Sequence, residues 1–293
     1  MATQKKILVT GANGQLGTEF RELSSIYPQY EFLFLTKEDL SIEDNEALWE
    51  RMVNEKPQYL INCAAYTAVD QAEKEEEKAF SINALAAAQL ALACKHLNCL
   101  FVHISTDYVF DGNASVPYKE TDEVNPQTVY GRTKQEGERL SIKANPDTII
   151  IRSSWVYSTY GKNFVKTMIK LMSAKEELKV VNDQVGSPTY AADLAEAIMD
   201  IIESGHWVPG VYHFSNQGHV SWYEFALSIK EISGSSCKVQ AIASSSWATA
   251  ATRPQFSVLD TNKIREVYGI EISPWYESLR ECMSKLDIQS GIN

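Results

Sequence analysis

Two hydrophobic patterns alternate along the first half of the chain. Short, nearly continuous apolar runs occur at Lys5–Thr10, Glu31–Leu35, Tyr59–Asn62, Leu100–Ser105 and Thr148–Arg152. Their length and character predict strands buried on both faces. Between them, apolar residues recur at helical spacing. Gly14–Ile26 puts Leu16, Phe20 and Leu23 on one face, and a helix running to about Glu55 has Ser41 as its candidate cap. Gln71–Leu97, charged and then rich in Ala and Leu, reads as one long helix or two abutting ones, and Val129–Lys143 reads as another. Strand and helix in alternation predict an α/β fold, a Rossmann-like doubly wound parallel sheet with helices on both faces. Ligands of such sheets bind at the carboxyl ends of the strands.

The pattern changes after Trp155. Helical stretches at Asn163–Met172, Ala191–Glu203, Trp222–Ile232 and Trp275–Leu286 are separated by the Gly/Pro-containing run Asp183–Thr189 and the polar patch Ser244–Ser246. No repeat of 20–50 residues is present. Composition narrows the class. A chain of 293 residues with 44% apolar residues can bury a sizeable core. Its net charge of -11 argues against general nucleic-acid binding and against a polybasic membrane attachment. An anionic small molecule remains compatible with it, held by a few local cations or backbone N–H groups. Five cysteines without a C-x-x-C pair fit a reducing compartment, and five scattered histidines without H-E-x-x-H give no metal motif. Ile7-Leu8-Val9 is too short for a signal-peptide core, and Ala84–Ala93 is far too short for a membrane span. These features predict a cytoplasmic protein.

Chemistry enters with the glycines. Gly11-Ala-Asn13-Gly14-Gln15-Leu16-Gly17 follows a predicted strand and opens a predicted helix. Glycine lets the backbone turn sharply and approach a ligand, and the free N–H groups of a helix start favour a pyrophosphate. The spacing is G-x-x-G-x-x-G, and the context predicts a dinucleotide. An acid at the tip of the second strand would hold the ribose 2′-OH of NAD. The chain instead reads Leu35-Thr36-Lys37, which leans towards the 2′-phosphate of NADPH with NADH tolerated; Lys37 as a solvated surface lysine is the competing reading. Asp39 and Leu40 fall on the adenine side. Residues 1–155 then form the dinucleotide-binding domain, with parts of 185–220 belonging to it, and 156–293 form mainly a smaller mixed α/β substrate-binding domain.

Tyr130-Gly-Arg-Thr-Lys134 is a Y-x-x-x-K on a predicted helix, where residues four apart share a face. A phenol ordinarily titrates near 10, and a neighbouring ammonium favours the phenolate; a shift of about three units corresponds to roughly 4 kcal/mol. A tyrosine so tuned works as a general acid/base. Thr106 stands at the carboxyl end of the fourth predicted strand, able to offer a hydroxyl to a carbonyl oxygen or to the phenol.

Six segments carry a resemblance to the extended short-chain dehydrogenase/reductases over essentially the whole chain: Gly11–Gly17, Asn62–Glu73, Ser105–Gly112, Tyr130–Lys134, Arg152–Tyr157 and Asp183–Thr189. The second and third (NCAAYTAVDQAE and STDYVFDG) are similar to the branch that reduces nucleotide-linked 4-keto sugars. The resemblance implies reduction of the C4 keto group of dTDP-4-dehydro-β-L-rhamnose to dTDP-β-L-rhamnose, a donor for surface polysaccharides. It implies that Tyr130 protonates the C4 oxygen, that Lys134 holds the cofactor ribose and lowers the phenol, and that Thr106 binds the substrate oxygen. It places Asn13 to Leu16 on the pyrophosphate and Asp39 and Leu40 at the adenine. It puts Ala64, Ala65 and Tyr66 at the nicotinamide half, and Asp107, Tyr108 and Trp155 against the sugar. Core packing is the competing role for Trp155, and a helix cap for Asp70. Arg253 is a candidate for the substrate's pyrophosphate, or else a surface arginine. A nucleotide sugar is thus the expected partner, and a homodimer is compatible with these readings.

Relatives that are 4,6-dehydratases carry Thr-Asp-Glu after the fourth strand, whereas this chain has Thr106-Asp107-Tyr108. The missing glutamate argues against water elimination. An epimerase, which keeps NAD bound and returns the hydride, is excluded less firmly. A non-catalytic dinucleotide-binding subunit would have no use for a Thr106/Tyr130/Lys134 set.

Overall fold

The computed structural model describes residues 4–247 and 249–290. Five of its strands match the apolar runs: β1 (Lys5–Thr10), β2 (Tyr30–Leu35), β3 (Tyr59–Asn62), β4 (Leu100–Thr106) and β5 (Ile149–Ser153). All pair in parallel, in the order β2-β1-β3-β4-β5, and a sixth strand, Gly210–His213, joins the far edge of β5. That strand is not evident from the apolar pattern. Its four residues follow a Gly/Pro-containing turn, and the pairing with β5 over Ile149–Arg152 makes it a strand.

Alternating side chains of each strand pack on the two faces of the sheet. Ile7, Val9, Ile61, Val102, Ile149 and Ile151 pack under the helices α1 (Gln15–Leu23) and Ala191–Glu203. Leu8, Leu60 and Phe101 face α2 (Asn45–Glu55) and the helix Ala87–Leu97. Both faces are therefore covered, which is why the strands read as continuous apolar runs rather than alternating ones. Asp44, not Ser41, caps α2, accepting from the Ala47 N–H at 3.0 Å.

The 71–97 segment is not one regular helix. Short helices at Val69–Ala72 and Glu76–Phe80 lead into a wide π-helical turn, Ser81–Ala86, and then Ala87–Leu97. The wide turn brings Asn83 inward, buried, where its side chain accepts from the Tyr66 N–H and donates to the Tyr66 carbonyl and to Thr133.

A second core gathers Tyr157, Val165, Met168, Leu178, Tyr190, Phe225, Ile229 and Leu279. It lies among the helices Phe164–Ala174, Trp222–Ser233 and Trp275–Ser290 and a two-stranded parallel pair, Glu177–Val181 with Lys238–Ile242. The Asp183–Thr189 run is a crossing point. Val185–Gly186 pairs antiparallel with Val220–Ser221, and Thr189–Tyr190 pairs in parallel with Val156–Tyr157. No helix among the described residues is long and apolar enough to cross a membrane.

Candidate active site

The chain leaves β1 for β2 on one side and returns to β3 on the other. The carboxyl ends of β1 and β3 therefore open a crevice between them, as expected where strand order reverses. Its volume is about 950 Å³, and it runs from Lys37 and Leu40 to Thr106, Tyr130 and Trp155.

Gly11 turns the chain at φ 66°, and a Cβ there would stand 2.6 Å from the Ala64 nitrogen. Only a glycine lets the β1 turn lie against the β3 turn. Gly14 closes the turn, its N–H on the Gly11 carbonyl at 2.9 Å, and α1 begins at Gln15. Asn13, Gly14, Gln15 and Leu16 line the crevice there, so the helix start faces it. Gly17 does not. Its missing Cβ would fall 2.4 Å from the Gly11 carbonyl oxygen, so this glycine supports the turn from beneath. The cradle that a Cβ would fill at Gly11, beside an open helix start, fits a dinucleotide pyrophosphate.

Lys37, Leu40, Ala64, Ala65 and Tyr66 are on the crevice wall. Asp39 is not. Its carboxylate accepts from the Thr36 N–H at 3.0 Å and the Thr36 hydroxyl at 2.8 Å, and these bonds hold it below its usual range. It shapes the turn after β2. From the opposite wall, Gly161 (φ 64°) brings the 158–163 loop against Gln15, and Lys162 beside it lines the crevice.

Tyr130 is positioned from its helix, Val129–Ala144. Thr128 caps the helix by accepting from the Gly131 N–H, and Glu73 accepts from the Val129 N–H. A Cβ on Gly131 would lie 2.2 Å from the Tyr108 carbonyl oxygen. The helix therefore sits directly on the Thr106-Asp107-Tyr108 turn because residue 131 has no side chain. Tyr130 and Tyr108 meet edge to face at 5.6 Å.

Thr106 ends β4. Its hydroxyl donates to the Asp107 carboxylate at 2.9 Å and accepts from the Tyr108 N–H at 3.2 Å. Burial raises the Asp107 carboxyl to about 6, with the Ser257 and Thr106 hydroxyls pulling it back. The Tyr130 phenol departs from the expectation of depression. Burial pushes it well above its ordinary value, and the hydrogen bond with Thr106 works in the opposite direction. Lys134 is only 2% exposed. Its ammonium does not meet the phenol but donates to the Ile104 carbonyl at 2.6 Å and lies 3.3 Å from His103 Nε2. Burial lowers Lys134 to about 8, against the opposing charge of Glu138.

Trp155 lines the crevice with its backbone at φ 49°, a strained state for a bulky residue. Its indole stacks on Trp222 at 3.4 Å, and the absence of a Cβ at Gly186 leaves room for it. Trp155 thus belongs to both the crevice wall and the second core. Arg253 does not line the crevice. It borders a neighbouring hollow of about 190 Å³ that shares Tyr108 with it. Asp70 is no helix cap: it accepts from the Arg253 guanidinium and from the Ala251 N–H.

Several contributors escape a reading of the sequence. His103, Asn83 and the buried pair Arg152–Glu138, which also holds Ser105, all brace the wall. The available signal was a polar residue inside an apolar strand, His103 in LFVHIS and Arg152 in TIIIR.

A glycine-turned parallel sheet with Thr106, Tyr130 and Lys134 gathered at its carboxyl edge defines an extended short-chain dehydrogenase/reductase. Comparison narrows this further: the model of the RmlD substrate binding domain matches residues 5–288, and the chain belongs to that family. It is 44% identical to the spore coat polysaccharide biosynthesis protein SpsK of Bacillus subtilis over 281 residues, 96% of this chain and 97% of that one. It is 42% identical to the dTDP-4-dehydrorhamnose reductase of Aggregatibacter actinomycetemcomitans, over 94% of this chain and 97% of that one. The crystal structure of dTDP-4-dehydrorhamnose reductase from Bacillus anthracis in complex with NADP superposes with a TM-score of 0.93 at 37% identity, covering 97% of this chain and 100% of that one.

Proposed function

We propose that this chain reduces the C4 keto group of dTDP-4-dehydro-β-L-rhamnose to dTDP-β-L-rhamnose with NADPH, and that NADH also serves. The observation that carries this reading is that the Gly11 turn and the Thr106/Tyr130/Lys134 set open on one crevice. Relatives named dTDP-4-dehydrorhamnose reductase over nearly the full length support the choice of substrate.

In this reading Asn13 to Leu16 hold the pyrophosphate, Lys37 meets the 2′-phosphate, and Ala64, Ala65 and Tyr66 flank the nicotinamide. When bound, the dinucleotide supplies the hydride that arrives at C4. Thr106 and Tyr130 grip the keto oxygen, and Tyr130 gives it a proton. A phenol that burial keeps protonated is in the right state for this role, since the step consumes the proton rather than generating it. Lys134 holds the cofactor ribose. Asp107, Tyr108 and Trp155 border the sugar, and Arg253 at the adjoining hollow takes the substrate's diphosphate. The division into a dinucleotide domain, 1–155 with parts of 185–220, and a substrate domain, mainly 156–293, is supported by the two separate cores and by the return of Gly210–His213 to the sheet.

The test is Tyr130→Phe, with NADPH oxidation followed on dTDP-linked 4-keto sugar and product identified. Turnover falls at least about a hundredfold while the fold and NADPH binding persist. Wild-type turnover in the variant defeats the assignment. Wild-type protein that binds NADPH but consumes none with the substrate is a binding module instead.

A further inference from the structure

Behind Lys134 runs a buried row that the reaction above does not use. Thr10, Asn62 and His103 are side-by-side partners in register across β1, β3 and β4, and all are at most 1% exposed. The Asn62 Oδ1 accepts from the Ala64 backbone N–H at 3.2 Å and from the Thr10 hydroxyl at 2.7 Å. A backbone N–H can only donate, so the amide oxygen is on that side and the Asn62 NH2 faces His103 Nδ1, at 2.9 Å. His103 Nδ1 is then an acceptor. Burial and the charge of Lys134 keep the ring neutral, so the ring hydrogen is on Nε2, 3.3 Å from the Lys134 nitrogen. An N–H directed at an ammonium is a donor facing a donor; directed at an amine, it has a lone pair to meet.

We propose that His103 is a positioning residue whose Nε2–H favours the amine form of Lys134, so that in alkaline solution cofactor binding, which uses the ammonium, draws a proton from solvent. The other groups around the lysine do not replace this control. Glu138, one turn further on, is paired with Arg152. Burial keeps the Cys63 thiol and the Tyr130 phenol uncharged. Burial already brings Lys134 to about 8, and the His103 N–H acts in the same direction, so dinucleotide affinity declines in alkaline solution as Lys134 loses its charge. This inference rests on reading the crevice as a nicotinamide site.

The experiment is the pH dependence of NADPH and NADH binding, by nicotinamide fluorescence from pH 7 to 9.5, in wild type and Asn62→Asp, with the His103 tautomer read from ring 15N shifts and assigned by its loss in His103→Gln. A carboxylate at position 62 accepts from Nδ1–H and reverses the ring, turning a lone pair on Lys134. Wild-type His103 carries its hydrogen on Nε2, Asn62→Asp carries it on Nδ1, and the alkaline decline moves up by at least one pH unit in that variant. An Nδ1–H tautomer in wild type, or superimposable binding profiles in the two proteins, overturns the proposal. NADPH failing to bind wild type at any pH overturns the site reading itself. If Asn62→Asp does not fold, the wild-type tautomer alone decides.

Discussion

Asp107 shows how burying a single ionisable side chain costs stability. Its carboxyl sits at about 6 in the folded chain against an ordinary 3.8, because burial disfavours the charged form. The folded state thus binds the proton more tightly than the unfolded one, and ionisation costs stability. The cost is absent below pH about 4, grows between 4 and 6, and is complete above that window. Asp107→Asn is therefore more stable than wild type at pH 7.5, by up to about 3 kcal/mol, and the difference in Tm vanishes at pH 4. Its turnover falls at least tenfold, since the Thr106 hydroxyl loses a charged acceptor. Lys37 makes a separate prediction. If it meets the 2′-phosphate, Lys37→Ala weakens NADPH binding about tenfold and leaves NADH binding unchanged, as titrations of both nucleotides will show; equal losses remove it from that role.

At the scale of elements, close approach rather than propensity sets the site. Glycine is a poor helix former, yet Gly131 and Gly137 lie inside the Tyr130 helix. Each faces a backbone carbonyl, Tyr108 and Asn83, that a Cβ would strike at 2.2 and 2.1 Å. Gly131→Ala pushes the helix away from the turn holding Thr106. It costs about 1–3 kcal/mol as an overpacked contact and lowers kcat at least tenfold by separating Tyr130 from Thr106. Thermal unfolding and steady-state kinetics on the same preparation check both parts. The Tyr-x-x-x-Lys spacing was legible because residues four apart share a helical face. The lysine's actual partners were not: Ile104 and His103 sit on β4, some 30 residues earlier in the chain.

For the whole molecule, the segments after Trp155 close the site from across the sheet. Ser158 donates to Glu19, Asn163 donates to Gln15, and Arg253 reaches Asp70, joining parts of the chain up to 183 residues apart. Trp155 joins the crevice wall to the second core, and its left-handed backbone is the strain this junction tolerates. If Arg253 takes the substrate's diphosphate, Arg253→Lys raises KM for the nucleotide sugar about tenfold, a loss of about 1.4 kcal/mol, and leaves the NADPH Kd unchanged. A parallel rise in both constants assigns the arginine to holding the Asp70 loop instead.

The sequence by itself determined the five principal strands, the glycine turn that opens α1, and the helix that puts Tyr130 and Lys134 on one face. Each is a relation between neighbours, written in hydrophobic period, in a residue without a Cβ or in a spacing of four. The tertiary structure alone decided that Gly210–His213 completes the sheet, that Asp39 serves its own turn, and that Asp70 binds Arg253. It also decided that Lys134 faces His103 while burial holds the proton on Tyr130. These outcomes depend on which distant backbone closes over a group and shuts out water, and desolvation acts through space rather than along the chain.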